Sequence, residues 1–179
     1  MNRKLILVKG GAGTGKTVLL SNIFYDLFQM GNAETTGKLS SQKDFEAFLL
    51  VNHDEQVTVY QQIAEKLGLS SKKNPQVMKP TKFINEHQAN DEIADVVLID
   101  EAHLLWTQGK QSYRGDNQLA DILNHARVVI AVFDPMQFLA GNQYWTDEEL
   151  EVLEVRAGDS KIVELSEQMR IDSDGPAEK

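Results

Sequence analysis

Leu5-Ile6-Leu7-Val8-Lys9-Gly10-Gly11-Ala12-Gly13-Thr14-Gly15-Lys16-Thr17 is the stretch on which the fold turns. Leu5 to Val8 form an unbroken apolar run of strand length, the pattern of a strand buried on both faces. Glycines follow, and then Leu19, Leu20, Ile23, Phe24, Leu27 and Phe28 recur at helical spacing. Between strand and helix, Gly10 to Thr17 (Gly10, Gly11, Ala12, Gly13, Thr14, Gly15, Lys16, Thr17) satisfies G-x-x-x-x-G-K-[ST] at every fixed position. The glycines let backbone N–H groups turn inward around phosphates, and the helix N-terminus adds its partial positive charge. In that setting Lys16 reaches the β- and γ-phosphates of a nucleoside triphosphate, and the Thr17 hydroxyl ligates Mg²⁺. The alternative is a glycine-rich turn without a ligand, and the strand-loop-helix context counts against it. A dinucleotide fingerprint does not fit, because Lys16 stands where the third glycine belongs.

Moving outward, helical spacing persists to Gly31, which reads as its stop, and Gly31 to Lys43 reads as a loop. Phe48 to Asn52 is expected as a second strand, and Val59 to Leu67 as a helix stopped by Gly68. Ser70 to Lys79 is polar and Lys-rich and reads as a surface insertion, after which Thr81 is placed to cap a short helix through His87. Val96 to Ile99 is a third strand, Asn117 to Ala126 a helix, and Val128 to Phe133 a fourth strand rich in β-branched residues. Thr146 and Glu149 form a capping box for a helix to about Val155, and Ile162 to Leu165 is a fifth strand. Strands alternating with helices predict an α/β fold: a parallel five-stranded sheet flanked by helices. One domain is expected over residues 1–171, followed by a polar tail, 172–179.

Asp100-Glu101-Ala102-His103 follows directly on the third strand. A carboxylate at such a tip can hold Mg²⁺, and one beside it can orient and deprotonate an attacking water. Alone, the pair would read as a helix N-cap. Downstream of a phosphate loop, Asp100 is assigned to the metal and Glu101 to catalysis. His103 is open between a structural role and relay of nucleotide state.

Composition sets limits. The chain has no cysteine, which excludes disulfides and thiolate metal sites. No apolar run approaches the roughly 20 residues of a membrane span, and no secretory signal is evident, so the simplest reading is a cytoplasmic protein without membrane contact. A net charge of −9 argues against a general nucleic-acid coating protein. The charge is lopsided, however: residues 1–90 hold 11 Lys/Arg and 8 Asp/Glu, residues 91–179 hold 7 and 19. That leaves room for a local polyanion site, or simply reflects solvated faces of different composition.

Gly10–Thr17, Asp100–His103, Phe133-Asp134-Pro135-Met136-Gln137 and Leu165-Ser166-Glu167-Gln168-Met169-Arg170 occur in the order of motifs I to IV of superfamily 1 helicases. More narrowly, the chain resembles bacterial helicase-like P-loop ATPase domains related to the group 3 Schlafen proteins. Val51-Asn52-His53, Pro80 to Ile84 and Leu104-Leu105-Trp106 are also similar to that group. The resemblance implies a RecA-like sheet with the fourth strand between the first and third. It implies Gln137 near the γ-phosphate, where its amide senses hydrolysis, and Arg170 as a neutraliser of γ-phosphate charge. Without the resemblance, Asp134 to Gln137 reads as a turn and Arg170 as a surface arginine. Met169 replaces the aromatic usual in motif IV. A translocating helicase also needs a second RecA-like domain, which is not found in the few residues after Arg170. The expectation is therefore half of a motor, either part of a longer protein or reliant on a partner.

The expected ligands are ATP and Mg²⁺, with single-stranded DNA or RNA as a further partner. Lys66, Lys72, Lys73, Lys79 and Lys82 with Phe83, and Trp106 and Tyr113 with Lys110 and Arg114, combine cations and aromatics as single-strand sites do. The plainer alternative is a solvated loop plus core aromatics. Three functional classes stay open: a helicase-like ATP hydrolase, a nucleotide-dependent regulatory switch that binds proteins and no nucleic acid, and a small-molecule kinase, which Glu101 and Gln137 disfavour.

Overall fold

A computed structural model describes residues 3–35, 45–66, 76–105, 117–139 and 161–165, with isolated positions at 115, 148, 151 and 155. Strand β1 (Lys4–Gly10) leads into helix α1 (Lys16–Thr35). Then come β2 (Ala47–Leu50), α2 (Asp54–Lys66), β3 (Val77–Met78), α3 (Pro80–Asn90) and β4 (Ala94–Ile99). A single 3₁₀ turn (Ala102–Leu104), α4 (Gln118–Asn124), β5 (Ala126–Phe133), α5 (Pro135–Leu139) and β6 (Lys161–Leu165) complete the described elements.

The sheet has six strands in the order β3-β2-β4-β5-β1-β6, and every pairing between them is parallel. β5 lies between β1 and β4, as expected. The sixth strand corrects the reading of Ser70 to Lys79 as a surface insertion throughout. Val77 and Met78 are buried and pair with Leu49 and Leu50 on the sheet's outer edge. Two residues among polar neighbours are too few to show a period.

Side-chain alternation explains the continuous apolar runs. Phe48, Leu50, Val97 and Ile99 face one core, with Phe83 and Ile84 of α3 and Leu119 and Ile122 of α4. Leu49, Val51 and Leu98 face the other, with Leu20 and Phe24 of α1 and Ala64 of α2. Both faces of the sheet are covered, so neither strand face is polar.

Several boundaries move. Gly31 does not stop α1, which runs to Thr35; one interior glycine costs only about 1 kcal/mol relative to alanine, too little by itself to end a helix. α2 begins at Asp54, ahead of its apolar stretch, with Asp54 and Glu55 in the first turn. Thr81 is not the cap of α3. Lys79 occupies that position without a side-chain cap, Pro80 begins the helix, and the Thr81 hydroxyl accepts a bond from Gln118 Nε2 (3.0 Å). α4 is capped by Asn117, whose side chain accepts from Ala120 N, and ends at Asn124, so Ala126 belongs to β5. The Thr146–Glu149 capping box and the tail 172–179 lie outside the described residues.

Candidate functional site

Parallel strands bring their carboxyl ends to one edge, and three of these ends converge. Lys9 pairs with Phe133 across β1 and β5, and Ile99 with Ala131 across β4 and β5. Gly10, Asp100 and Asp134 therefore leave the sheet side by side, in the crevice where open α/β sheets take ligands.

The loop after β1 is shaped by backbone needs. Gly13 and Gly15 have φ of 79° and 80°, a region that L side chains avoid. A Cβ on Gly10 would lie 2.5 Å from Thr14 Oγ1 and 3.3 Å from Leu165 Cβ, so a side chain there would displace the Thr14 hydroxyl and press on β6. Thr14 Oγ1 donates to Gly11 O (2.9 Å). Lys16 Nζ also donates to Gly11 O, at 2.6 Å, and so folds back across its own loop. A phosphate entering the loop would meet this ammonium, the loop N–H groups and the N-terminus of the 20-residue α1.

Asp100 is buried, at 2% exposure, and its N–H donates to Leu50 O. Its carboxylate accepts from Glu101 N (3.0 Å) and faces Thr17 Oγ1 at 3.4 Å. Burial, and then the Glu101 charge, raise its pKa; the Glu101 N–H, Thr17 and Lys16 pull the other way. A buried carboxylate so weakly compensated, beside a hydroxyl, fits a divalent cation. No group of three His, Asp or Glu suited to a metal occurs among the described residues. A pair is what Mg²⁺ needs when phosphates and waters complete its shell.

Glu101 is held in the left-handed region (φ 53°, ψ 49°), a conformation that costs a non-glycine residue about 1–2 kcal/mol. Its carboxylate lies 3.6 Å from Nε2 of the buried His103. Asp134, also buried, accepts from Met136 N through Oδ1 (2.9 Å), and its carbonyl accepts from Gln137 N (3.1 Å). This turn starts α5 and leaves Gln137 exposed at the carboxyl end of β5, the strand flanked by those of Lys16 and Glu101.

The expected nucleic-acid residues divide differently. Phe83 is fully buried, stacked on His87 (3.9 Å between centroids) and edge-on to Phe48 (5.3 Å), so it is a core residue. Lys79 pairs with Asp54 (2.6 Å) and Lys82 lies 3.7 Å from Glu86. Lys66 ends α2, exposed. Arg170, Lys72, Lys73, Trp106, Lys110, Tyr113 and Arg114 lie outside the described residues. Sequence reading passed over Tyr60, which α2 turns toward Thr17, Ser21 and Asp100. An aromatic at helical spacing carries no mark that separates it from core.

Fold and edge together define a P-loop NTPase-type α/β domain. The chain matches the model of the Schlafen group 3 DNA/RNA helicase domain over residues 3–177, and it belongs to that family. It is 32% identical over 146 residues to the Saccharomyces cerevisiae protein YPL245W, a match that takes in 80% of this chain and 31% of that protein. The chain thus spans about a third of that relative's length. A solved structure described as an ATPase superimposes with a TM-score of 0.53, covering 92% of this chain and 67% of its own, at 11% identity, and shares the fold. Among the described residues no helix is long and apolar enough to cross a membrane.

Proposed function

We propose that this chain is a magnesium-dependent ATP hydrolase domain of helicase type, which couples nucleotide state to single-stranded DNA or RNA. The observation that carries the reading is the approach of Thr17 to Asp100, 83 residues apart in sequence, at the mouth of the phosphate loop. Loop N–H groups and Lys16 bind the phosphates, with the ammonium leaving Gly11 O for the β- and γ-oxygens. Thr17 and Asp100 would hold Mg²⁺, and the cation would supply positive charge to offset that of the phosphates. Glu101 accepts the proton of the attacking water. Gln137 orients that water from the β5 side, and Arg170 neutralises γ-phosphate charge; both roles follow the motif order of the family.

Lys16→Ala is expected to weaken ATP binding by about 100-fold, the worth of charge-assisted hydrogen bonds to phosphate; unchanged affinity in calorimetry would remove the site assignment. Glu101→Gln is expected to keep Mg²⁺–ATP binding while turnover falls by about 10²–10⁴. Normal hydrolysis by this variant would place the base elsewhere.

A second reading, a nucleotide switch that engages proteins alone, is favoured by one observation: Phe83 is core, and Lys79 and Lys82 are matched by carboxylates. Stimulation of ATP turnover by single-stranded DNA or RNA supports the first reading. Its absence, with nucleotide-dependent binding of a protein, supports the second.

A further inference from the structure

Tyr60 sits in α2 with its ring packed on the core that holds Leu20, Phe24 and Ala64. Its hydroxyl is buried, and no atom among the described residues meets it in hydrogen-bond geometry. Tyr60 lines one pocket with Ser21, whose hydroxyl donates to Thr17 O (2.8 Å), and Thr17 Oγ1 lies 3.4 Å from Asp100 Oδ2, so the ring stands beside the pair expected to hold the cation. A phenol carries one O–H and can donate it to a carboxylate.

An unpaired buried hydroxyl is a destabilising choice. Phenylalanine would pack against Leu20 and Phe24 equally well and strand no polar atom. The helix that carries Tyr60 is anchored. Next to it in the helix, Gln61 Nε2 donates to Val77 O of β3 (2.8 Å), and Asp54 at the start of α2 pairs with Lys79. A pocket of about 240 Å³ between α1 and α2, which Tyr60 lines with Ser21 and Ile63, gives the ring room to adjust.

We propose that Tyr60 is a positioning residue for the magnesium-nucleotide site, its O–H donating to the Asp100 carboxylate once the nucleotide and cation are bound and so fixing the oxygen that faces Thr17. The inference rests on the proposed magnesium-nucleotide reading of Gly10–Thr17 and Asp100. Groups that orient a ligating carboxylate typically change metal affinity or activity by 10–100-fold when removed.

The test compares wild type with Tyr60→Phe by binding of a fluorescent ATP analogue, first in EDTA and then across a Mg²⁺ titration, with thermal melting of both ligand-free proteins. The expected result has three parts. The EDTA affinity is the same within about twofold, the variant melts no lower, and the gain in affinity from Mg²⁺ is about tenfold smaller than in wild type. An equal Mg²⁺ gain in both proteins overturns the role of Tyr60 and leaves the nucleotide site standing. A variant that melts lower and loses affinity equally with and without Mg²⁺ shows a packing role and also overturns it. Wild type that binds no nucleotide at all removes the site reading and the inference with it.

Discussion

At the centre of the sheet's carboxyl edge, backbone shape dictates residue type. Gly13 and Gly15 have positive φ, and Gly10 has no room for a side chain. At the flank formed by β2, β3 and α3, the same edge is held by side-chain packing: Phe83 stacks on His87, Phe48 meets both rings edge-on, and Lys79 pairs with Asp54. A backbone-imposed site admits few residue types and announces itself in sequence. A packing-imposed region admits many, so its residues can be mistaken for a binding surface.

The sharpest way to break this contrast is Phe83→Ala. A fully buried ring lost from a core is expected to cost about 3–5 kcal/mol in urea unfolding. If stability held and single-strand binding fell instead, the flank would be a base-stacking platform and the distinction would fail.

A smaller effect of opposite sign is expected at the centre. Asp100→Asn removes a charge buried without a full complement of partners. The ligand-free variant should gain about 1 kcal/mol and melt ~2–4 °C higher, while Mg²⁺ no longer strengthens nucleotide binding. Calorimetry with and without Mg²⁺–ATP reads both. A lower melting temperature would show that the carboxylate braces the loop instead of being held for a ligand.

The smallest effect concerns pH and returns to the flank. Burial lowers the His87 pKa below its ordinary 6.5, opposed by a hydrogen bond to Phe83 O and the charges of Glu92 and Glu46, while His125 adds to the lowering. The unfolded chain therefore takes up a proton that the fold resists. Stability is full above about pH 6.5 and falls as pH drops from there toward the lowered folded value. His87→Phe should flatten that slope in urea midpoints measured between pH 7 and 5. An unchanged slope would assign it to other groups.

Legibility followed the same division. The strand-turn-helix at Gly10–Thr17, the place of Asp100 and Glu101 at the end of β4 and five strands could be read, because glycine placement and long apolar runs leave marks. Val77 and Met78 could not, since two residues carry no period and gain their burial from β2. The start of α3 was misplaced because Thr81 looks like a cap, whereas Pro80 and the Gln118 bond decide its position. The place of Tyr60 could not be read either, because only folding brings α2 against Ser21 of α1.

Glu101 carries a consequence for how such a domain would decay. Its backbone adopts a shape that glycine takes without strain, yet the position holds a carboxylate. In the genetic code one base change converts a glutamate codon to a glycine codon, and here that change relaxes the main chain. Selection for stability alone would therefore erode this side chain early. On the proposed role of Glu101, glycine at this position beside an intact Gly10–Thr17 loop is the expected mark of a relative that binds nucleotide without turning it over.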